Sequence, residues 1–350
     1  MTPIAPSTDT EAAPPPPGTP DGPFPAFVVT ATPDGVTTGV ERLTTDDLPP
    51  GEVLVSVTWS AVNYKDGMVT RPGNRVARTS PLVPGVDLVG TVVASSDPTI
   101  AVGDEVIAHG YDLGVARHGG FAAYARVPSG WVVPLPPGLT PRRAAVLGTA
   151  GFTAALSLHR LEHHGLTPGS GPVLVTGASG GVGGMAVALA AARGHDVVAS
   201  TGRTSEREYL VGLGAAEVIG RDDLLVDPGR TLGPERWAGA VDCVGGPTLA
   251  AVLRTLRYGA AVAASGLTGG SALETTVYPF IVRNVALLGV DTVLTPIEER
   301  RTVWAELAQV PAATVDALVD DEVDLTGVDR VLDDILAGRV RGRMLVRPSA

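Results

Sequence analysis

The chain has 350 residues, 44% of them apolar and 18% charged, which is enough for two domains with cores of their own and typical of a folded, water-soluble protein. Its formal net charge of −11 argues against a nucleic-acid backbone as main partner, since that requires a concentrated basic surface. One cysteine, Cys243, excludes an intrachain disulfide framework and any multi-cysteine metal site.

No apolar run reaches the roughly 18–20 residues of a membrane span. The first basic residue is Arg42, so no basic leader is expected, and the expected location is cytoplasmic. Basic positions hold 25 Arg and one Lys, Lys65, and there are only three Asn. Two of these rare residues stand together in Asn63-Tyr64-Lys65-Asp66.

Residues 1–25 are rich in Pro, Thr and Ala and are expected to form a disordered tail. From Ala26 onward, short β-branched segments alternate with Gly and Pro. Strands are expected at Phe27–Thr30, Glu52–Thr58, Asp87–Val93, Asp104–Ala108 and Ala122–Val127, in a β-rich unit ending near Trp131–Pro137. Pro141–Gly165 then reads as helix, with Pro141 at a first helical position and a break around Gly148-Thr149-Ala150-Gly151.

Beyond it, strands at Pro172–Thr176, Asp196–Ser200, Ala240–Val244, Ala260–Ser265 and Val285–Gly289 alternate with helices at Met185–Arg193, Glu206–Leu213 and Leu249–Arg257. That alternation predicts βαβ units and a parallel sheet. Helices at Pro296–Leu307 and Val328–Ala337 and a strand at Gly342–Val346 complete the expected elements.

One motif carries chemistry directly. Val173-Leu174-Val175-Thr176 runs into Gly177-Ala178-Ser179-Gly180-Gly181-Val182-Gly183-Gly184 and then into a helix. Small residues let the backbone approach a pyrophosphate, and the helix N-terminus offers free N–H groups and the positive dipole end. Ser179, Gly180, Gly181 and Val182 are therefore candidate cofactor contacts. The spacing departs from G-x-G-x-x-G, but the strand and helix that must flank the turn are both present.

The next strand ends in Ser200-Thr201-Gly202-Arg203 without the carboxylate that would hold the ribose 2′-hydroxyl of NAD. Hydroxyls followed by a guanidinium suit the 2′-phosphate of NADPH, so Thr201, Gly202 and Arg203 are assigned to it.

In order along the chain, Asn63-Tyr64-Lys65-Asp66, Pro84-Gly85-Val86-Asp87, Gly103-Asp104-Glu105-Val106, Gly148–Ala154, Gly177–Gly183, Ser265-Gly266-Leu267, Pro279–Val285 and Gly289-Val290-Asp291 resemble the medium-chain dehydrogenase/reductase superfamily. Within it, they resemble the acrylyl-CoA reductase branch, whose members are often labelled quinone oxidoreductases. The likeness covers about residues 26–347. It implies an α/β fold in which a Rossmann doubly wound parallel sheet (151–290) is inserted in a β-rich GroES-like catalytic domain (26–150 and 291–350).

It also implies NADPH as cofactor and hydride transfer to the β-carbon of an α,β-unsaturated thioester, with a quinone or enone as the alternative substrate. A non-catalytic NADPH-binding protein is the third reading. By the same likeness Tyr64 and Asp66 are candidate catalytic residues, and Tyr64 also lines the nicotinamide. Lys65 and Asp66 could instead form a local ion pair. Arg221, Leu267, Ile281 and Thr292 are candidate cofactor contacts and Arg343 a substrate contact. A homodimer paired through Val285–Asp291 is expected by analogy.

Zinc members of the superfamily carry Gly-His-Glu where this chain has Gly85-Val86-Asp87, so no metal is expected. His159 and His163, spaced i, i+4, read as a surface pair without a third ligand, and Cys243 reads as an inert core thiol.

Overall fold

A computed structural model describes residues 18–225 and 230–349. Most of the expected tail lies outside the described residues. Its last two positions do not behave as tail: Phe24 and Pro25 begin the first strand, and Phe24 is buried against the ring of Tyr124 at 5.2 Å. A composition average over the window hides this single aromatic anchor.

In chain order, β1 (Phe24–Thr32) and β2 (Gly35–Leu43) form an antiparallel hairpin. There follow β3 (Val53–Ala61), α1 (Tyr64–Met68), β4 (Asp87–Ser95), β5 (Glu105–His109), β6 (Tyr124–Val127) and β7 (Val133–Pro134). The long helix α2 (Pro141–His163) leads into β8 (Val173–Thr176), α3 (Gly181–Ala192), β9 (Val197–Thr201), α4 (Arg207–Gly212) and β10 (Glu217–Gly220). Then come β11 (Trp237–Asp242), α5 (Gly246–Thr255), β12 (Leu256–Ala264), α6 (Tyr278–Arg283) and β13 (Ala286–Gly289). The chain ends with α7 (Ile297–Leu307), α8 (Ala312–Asp316), β14 (Val319–Asp324), α9 (Val328–Leu336) and β15 (Arg343–Arg347).

Two larger sheets result. One is wholly parallel, in the order β10-β9-β8-β11-β12-β13. The other is mixed, in the order β14-β15-β3-β4-β5-β7 with β6 beside β3, so the chain returns to its first domain through β14 and β15. In the parallel sheet the winding reverses between β8 and β11, and the carboxyl ends of strands at such a switch point are where open α/β sheets bind ligands.

Four strands escape the sequence reading, β7 because it spans two residues and the other three for a shared reason. β2, β10 and β14 lie at the edges of their sheets and leave much of their surface in solvent, so they carry little apolar alternation.

Helix α2 ties the two sheets together. Thr140 caps it by accepting from the Arg143 N–H, and Pro141 stands in its first turn. Its buried residues join one core that runs from Ala61 and Ile107 in the mixed sheet to Val175 and Val241 in the parallel one. The helix breaks at Gly148, whose φ of 45° only glycine adopts readily. No helix among the described residues is long and apolar enough to cross a membrane.

Candidate active site

A cleft of about 510 Å³ lies over the switch point, between the glycine-rich turn of the parallel sheet and the segments 62–68 and 335–343 of the mixed-sheet domain. Its floor is fixed by a buried carboxylate. Asp242, at the end of β11, accepts the Thr176 hydroxyl at 2.6 Å and the Gly245 N–H at 2.7 Å, which ties the tips of β8 and β11 together. Burial pushes the Asp242 carboxyl above its ordinary value, against these hydrogen bonds.

The wall formed by the parallel sheet is bare backbone. Gly177 turns the chain at φ 61°, and α3 starts after Gly180 with no side chain capping its first N–H groups. At Gly183 a Cβ would stand 2.3 Å from the Gly177 carbonyl oxygen, so only glycine lets the turn fold back on the helix. Open N–H groups at the start of a twelve-residue helix offer an anion the dipole end and donors together. Beyond the turn, a groove of about 660 Å³ continues the cleft past Thr201, Gly202 and Arg221 toward Ile219. The length, the bare turn and the hydroxyl-lined end fit an extended dinucleotide.

The arginine assignment sharpens here. Arg203 is half-buried, and its Nη2 donates to the Ser179 carbonyl at 3.2 Å, the Ser179 hydroxyl at 3.0 Å and the Val340 carbonyl at 2.9 Å. It bridges the two walls and is not the free guanidinium that the sequence predicts. Arg221 is exposed and its side chain has no partner among the described residues. It lies so close over Gly202 that a Cβ there would come within 2.6 Å of the guanidinium.

The opposite wall is a buried polar network that ends in two unpartnered side chains. Asp66 is fully buried and accepts from the backbone N–H groups of Asn63 (2.8 Å), Gly85 (3.0 Å) and Val86 (3.0 Å). It braces α1 against the Pro84–Asp87 loop and does not line the cleft, which removes it from the catalytic set. Nor does it pair with Lys65. Burial raises its carboxyl to about 7, with backbone donors opposing and Asp87 reinforcing the rise.

Arg343 is likewise reassigned. It is 2% exposed and donates to Asp87 (3.3 Å), Asn63 Oδ1 (3.1 Å), and the carbonyls of Val62 (3.3 Å) and Val146 (2.9 Å). Although it borders the cleft, its donors are committed to the protein and not to a substrate. Asp87 also accepts from Asn63 Nδ2 (2.8 Å), the Thr149 N–H (2.8 Å) and the Thr149 hydroxyl (2.6 Å). A Cβ at Gly148 would meet it at 2.6 Å, so the break in α2 exists to admit this carboxylate. With Asp66 turned inward, Tyr64 and Lys65 face the cleft, half-buried and without hydrogen-bond or ion-pair partners among the described residues.

Leu267 lines the cleft, whereas Ile281 and Thr292 are not among its lining residues. Ile281 stands 72% exposed on α6, and the Thr292 carbonyl accepts from the buried Arg300 at 2.7 Å. Cys243 reaches the cleft rim instead of lying wholly in the core, and burial pushes its thiol up to about 12, so it carries little thiolate. His159 pairs with Glu306 at 2.6 Å on the surface. No group of three His, Cys, Asp or Glu that could hold a metal occurs among the described residues.

Behind this wall lies a feature the sequence reading missed. His109 is buried beside Arg300 (3.1 Å) and Trp304 (3.0 Å), and burial holds its imidazole well below the usual histidine range. Nothing in the local sequence announces it, because Arg300 and Trp304 lie far along the chain.

Family models for an alcohol dehydrogenase GroES-like domain and a zinc-binding dehydrogenase match residues 49–137 and 181–309. The chain is 50% identical over 315 residues to the quinone oxidoreductase-like protein YhfP of Bacillus subtilis, covering 90% of this chain and 96% of that one. The chain belongs to the medium-chain dehydrogenase/reductase superfamily. It is also 48% identical to the acrylyl-CoA reductase AcuI of Ruegeria pomeroyi, over 89% of this chain and 94% of that protein.

Among solved structures, the yhdH oxidoreductase of Salmonella enterica in complex with NADP superposes with a TM-score of 0.89 at 43% identity, covering 93% of this chain and 99% of that one. YhfP with NAD bound gives a TM-score of 0.90 at 48% identity, covering 94% and 100%. The expected fold, a parallel Rossmann-type sheet joined to a GroES-like domain, is thereby shown.

Proposed function

We propose that this protein is an NADPH-dependent reductase that delivers hydride to the β-carbon of an α,β-unsaturated acyl thioester of the acrylyl-CoA type. The observation that carries the reading is the pairing of walls: a bare glycine turn with the open start of α3 faces the unpartnered Tyr64–Lys65 pair across one cleft. The relatives support it, since AcuI is named for acrylyl-CoA reduction and yhdH is solved with NADP.

The start of α3 would hold the pyrophosphate, and Thr201, Gly202 and Arg221 the 2′-phosphate. NADPH, when bound, supplies the hydride; the chain's own residues position it and manage charge. Arg203 holds the walls at a fixed gap, and Asp87 and Arg343 hold Asn63 in place. As hydride reaches the β-carbon, negative charge builds on the thioester oxygen, and a hydrogen-bond donor aimed there is worth roughly 3 kcal/mol. Tyr64 would pack on the nicotinamide side and exclude water from the reacting atoms.

A quinone is the second reading, favoured by the 50% identity to YhfP. NADPH oxidation measured side by side with acrylyl-CoA, crotonyl-CoA and 1,4-benzoquinone separates the two. The proposal expects the higher kcat/KM for a thioester, and a quinone value well above both thioesters contradicts it.

We further propose that two copies pair through the free edge of β13 and the exposed Tyr278 and Ile281 of α6, which stand 50% and 72% accessible. Light scattering should give the dimer mass; a monomer at micromolar concentration would exclude it.

A further inference from the structure

We propose that Lys65 is the proton donor of the reaction, an inference that rests on the enoyl-thioester reading and completes it. Adding hydride to the β-carbon leaves an electron pair that must be met by a proton at the α-carbon, so the cleft needs a group with a transferable N–H or O–H.

The other cationic or acidic side chains at the cleft are committed or remote. Arg343 is bound to Asp87 and Asn63, and Arg203 to Ser179 and Val340. Arg221 stands at the far, hydroxyl-lined end, and guanidinium does not give up its proton in any case. The Ser179 and Thr201 hydroxyls bond each other at 3.0 Å at that same end. Burial disfavours ionisation of the Cys243 thiol. Asp66 is turned into the core on three N–H groups.

Two unpartnered groups remain among the described residues: the Tyr64 hydroxyl, assigned above to the nicotinamide side, and the ammonium of Lys65, half-buried, lining the cleft and carrying three donors. The charged groups on α9, which packs against α1, are engaged elsewhere: Asp333 with Arg71 at 2.5 Å, and Asp334 with Arg330 at 3.0 Å and Arg339 at 2.7 Å. Of the 26 lysine and arginine positions, the other 25 hold arginine, and this one holds the ammonium able to donate and recover a proton; no histidine lines the cleft among the described residues.

The step balances. A new C–H bond forms at the β-carbon with the pair that arrives as hydride, the C=C π pair moves toward the thioester oxygen, and an N–H bond of Lys65 breaks as its proton forms the second C–H bond at the α-carbon. The thioester carbonyl is restored and the neutral amine takes a proton from water. The neighbouring Tyr64 is left free to pack on the nicotinamide.

The single lysine gives a readout independent of turnover. Amine-selective acylation followed by peptide mass spectrometry should label Lys65 in the free enzyme and slow at least tenfold when NADP and propionyl-CoA occupy the cleft. Unchanged labelling overturns the proposal. Lys65→Met should lower kcat by roughly 10²–10³, with NADPH affinity within twofold of the parent and an unchanged melting temperature. Lys65→Arg, which keeps the charge without a transferable proton, should stay within tenfold of Lys65→Met.

A near-parental Lys65→Arg shows that charge alone suffices and overturns the proposal. So does a Lys65→Met enzyme that loses NADPH affinity but keeps kcat, because the ammonium would then be a phosphate anchor. If the chain reduces benzoquinone and not acrylyl-CoA, the thioester reading fails by itself. The same two variants assayed on the quinone, which also needs protons, then judge Lys65 separately.

Discussion

The two walls of the cleft are built by opposite means. On the parallel-sheet side the site is absence: glycines at 177, 180, 181 and 183, an uncapped helix start and an exposed Arg221 without a partner among the described residues. On the other side it is commitment: Asp66, Asp87 and Arg343 are buried and saturated so that Asn63, Tyr64 and Lys65 are held in one place. A wall that binds phosphates gains by leaving N–H groups open, whereas one that must aim side chains at a reacting carbon gains by rigidity.

This contrast predicts where substitutions act. Asp87→Ala should be the most damaging, because it strands the buried Arg343 guanidinium and unplugs the break in α2. Loss of one partner of a buried pair typically costs about 3–5 kcal/mol, read as a fall in urea midpoint. Arg71→Ala, which breaks an ion pair whose side chains are 50% and 58% exposed, should shift that midpoint by less than about 1 kcal/mol. Equal effects would erase the distinction between a braced wall and an ordinary surface.

Next in size is the open wall. Arg221→Ala should weaken NADPH binding by about 1.5–3 kcal/mol and leave NADH binding unchanged, as titration calorimetry would show. Arg203→Ala should weaken both, because that residue sets the gap between walls. An equal loss of both cofactors in Arg221→Ala would contradict the 2′-phosphate assignment.

A pH dependence sharpens the contrast from the braced side. The Asp66 carboxyl lies near 7 in the fold against an ordinary 3.8. Between about pH 4 and 7 the folded chain therefore keeps a proton that the unfolded chain has released, and this contribution to stability declines as pH rises through the window. Asp66→Asn lacks that titration, so its destabilisation relative to the parent should be about 2 kcal/mol larger at pH 5 than at pH 8. A pH-independent difference in melting free energy would show that Asp66 is ionised throughout.

The same contrast explains what could be read from the sequence. The glycine turn is local, a strand, a turn and a helix within twelve residues, and the structure places Ser179 to Val182 along the cleft. The α2 break was equally visible at Gly148, since a glycine-flanked run inside a helical pattern marks a special backbone.

The braced wall is non-local. Asp87 meets Arg343 across 256 positions and Thr149 across 62, so neither Asp66 nor Arg343 could be told from a cleft residue by spacing alone. Arg203 and Arg221 both followed strands near the cofactor end, and only packing distinguishes the bridge from the free cation. The rare Asn63 and Lys65 stand together in the sequence, and the Lys65 side chain has no partner among the described residues.

The most direct test follows the hydrogen itself. NADPH deuterated at the transferred C4 position, given with acrylyl-CoA in ordinary water, should yield propionyl-CoA carrying one deuterium at the β-carbon and none at the α-carbon, by NMR of the product. Deuterium at the α-carbon, or its absence from the product, would contradict hydride delivery across this cleft.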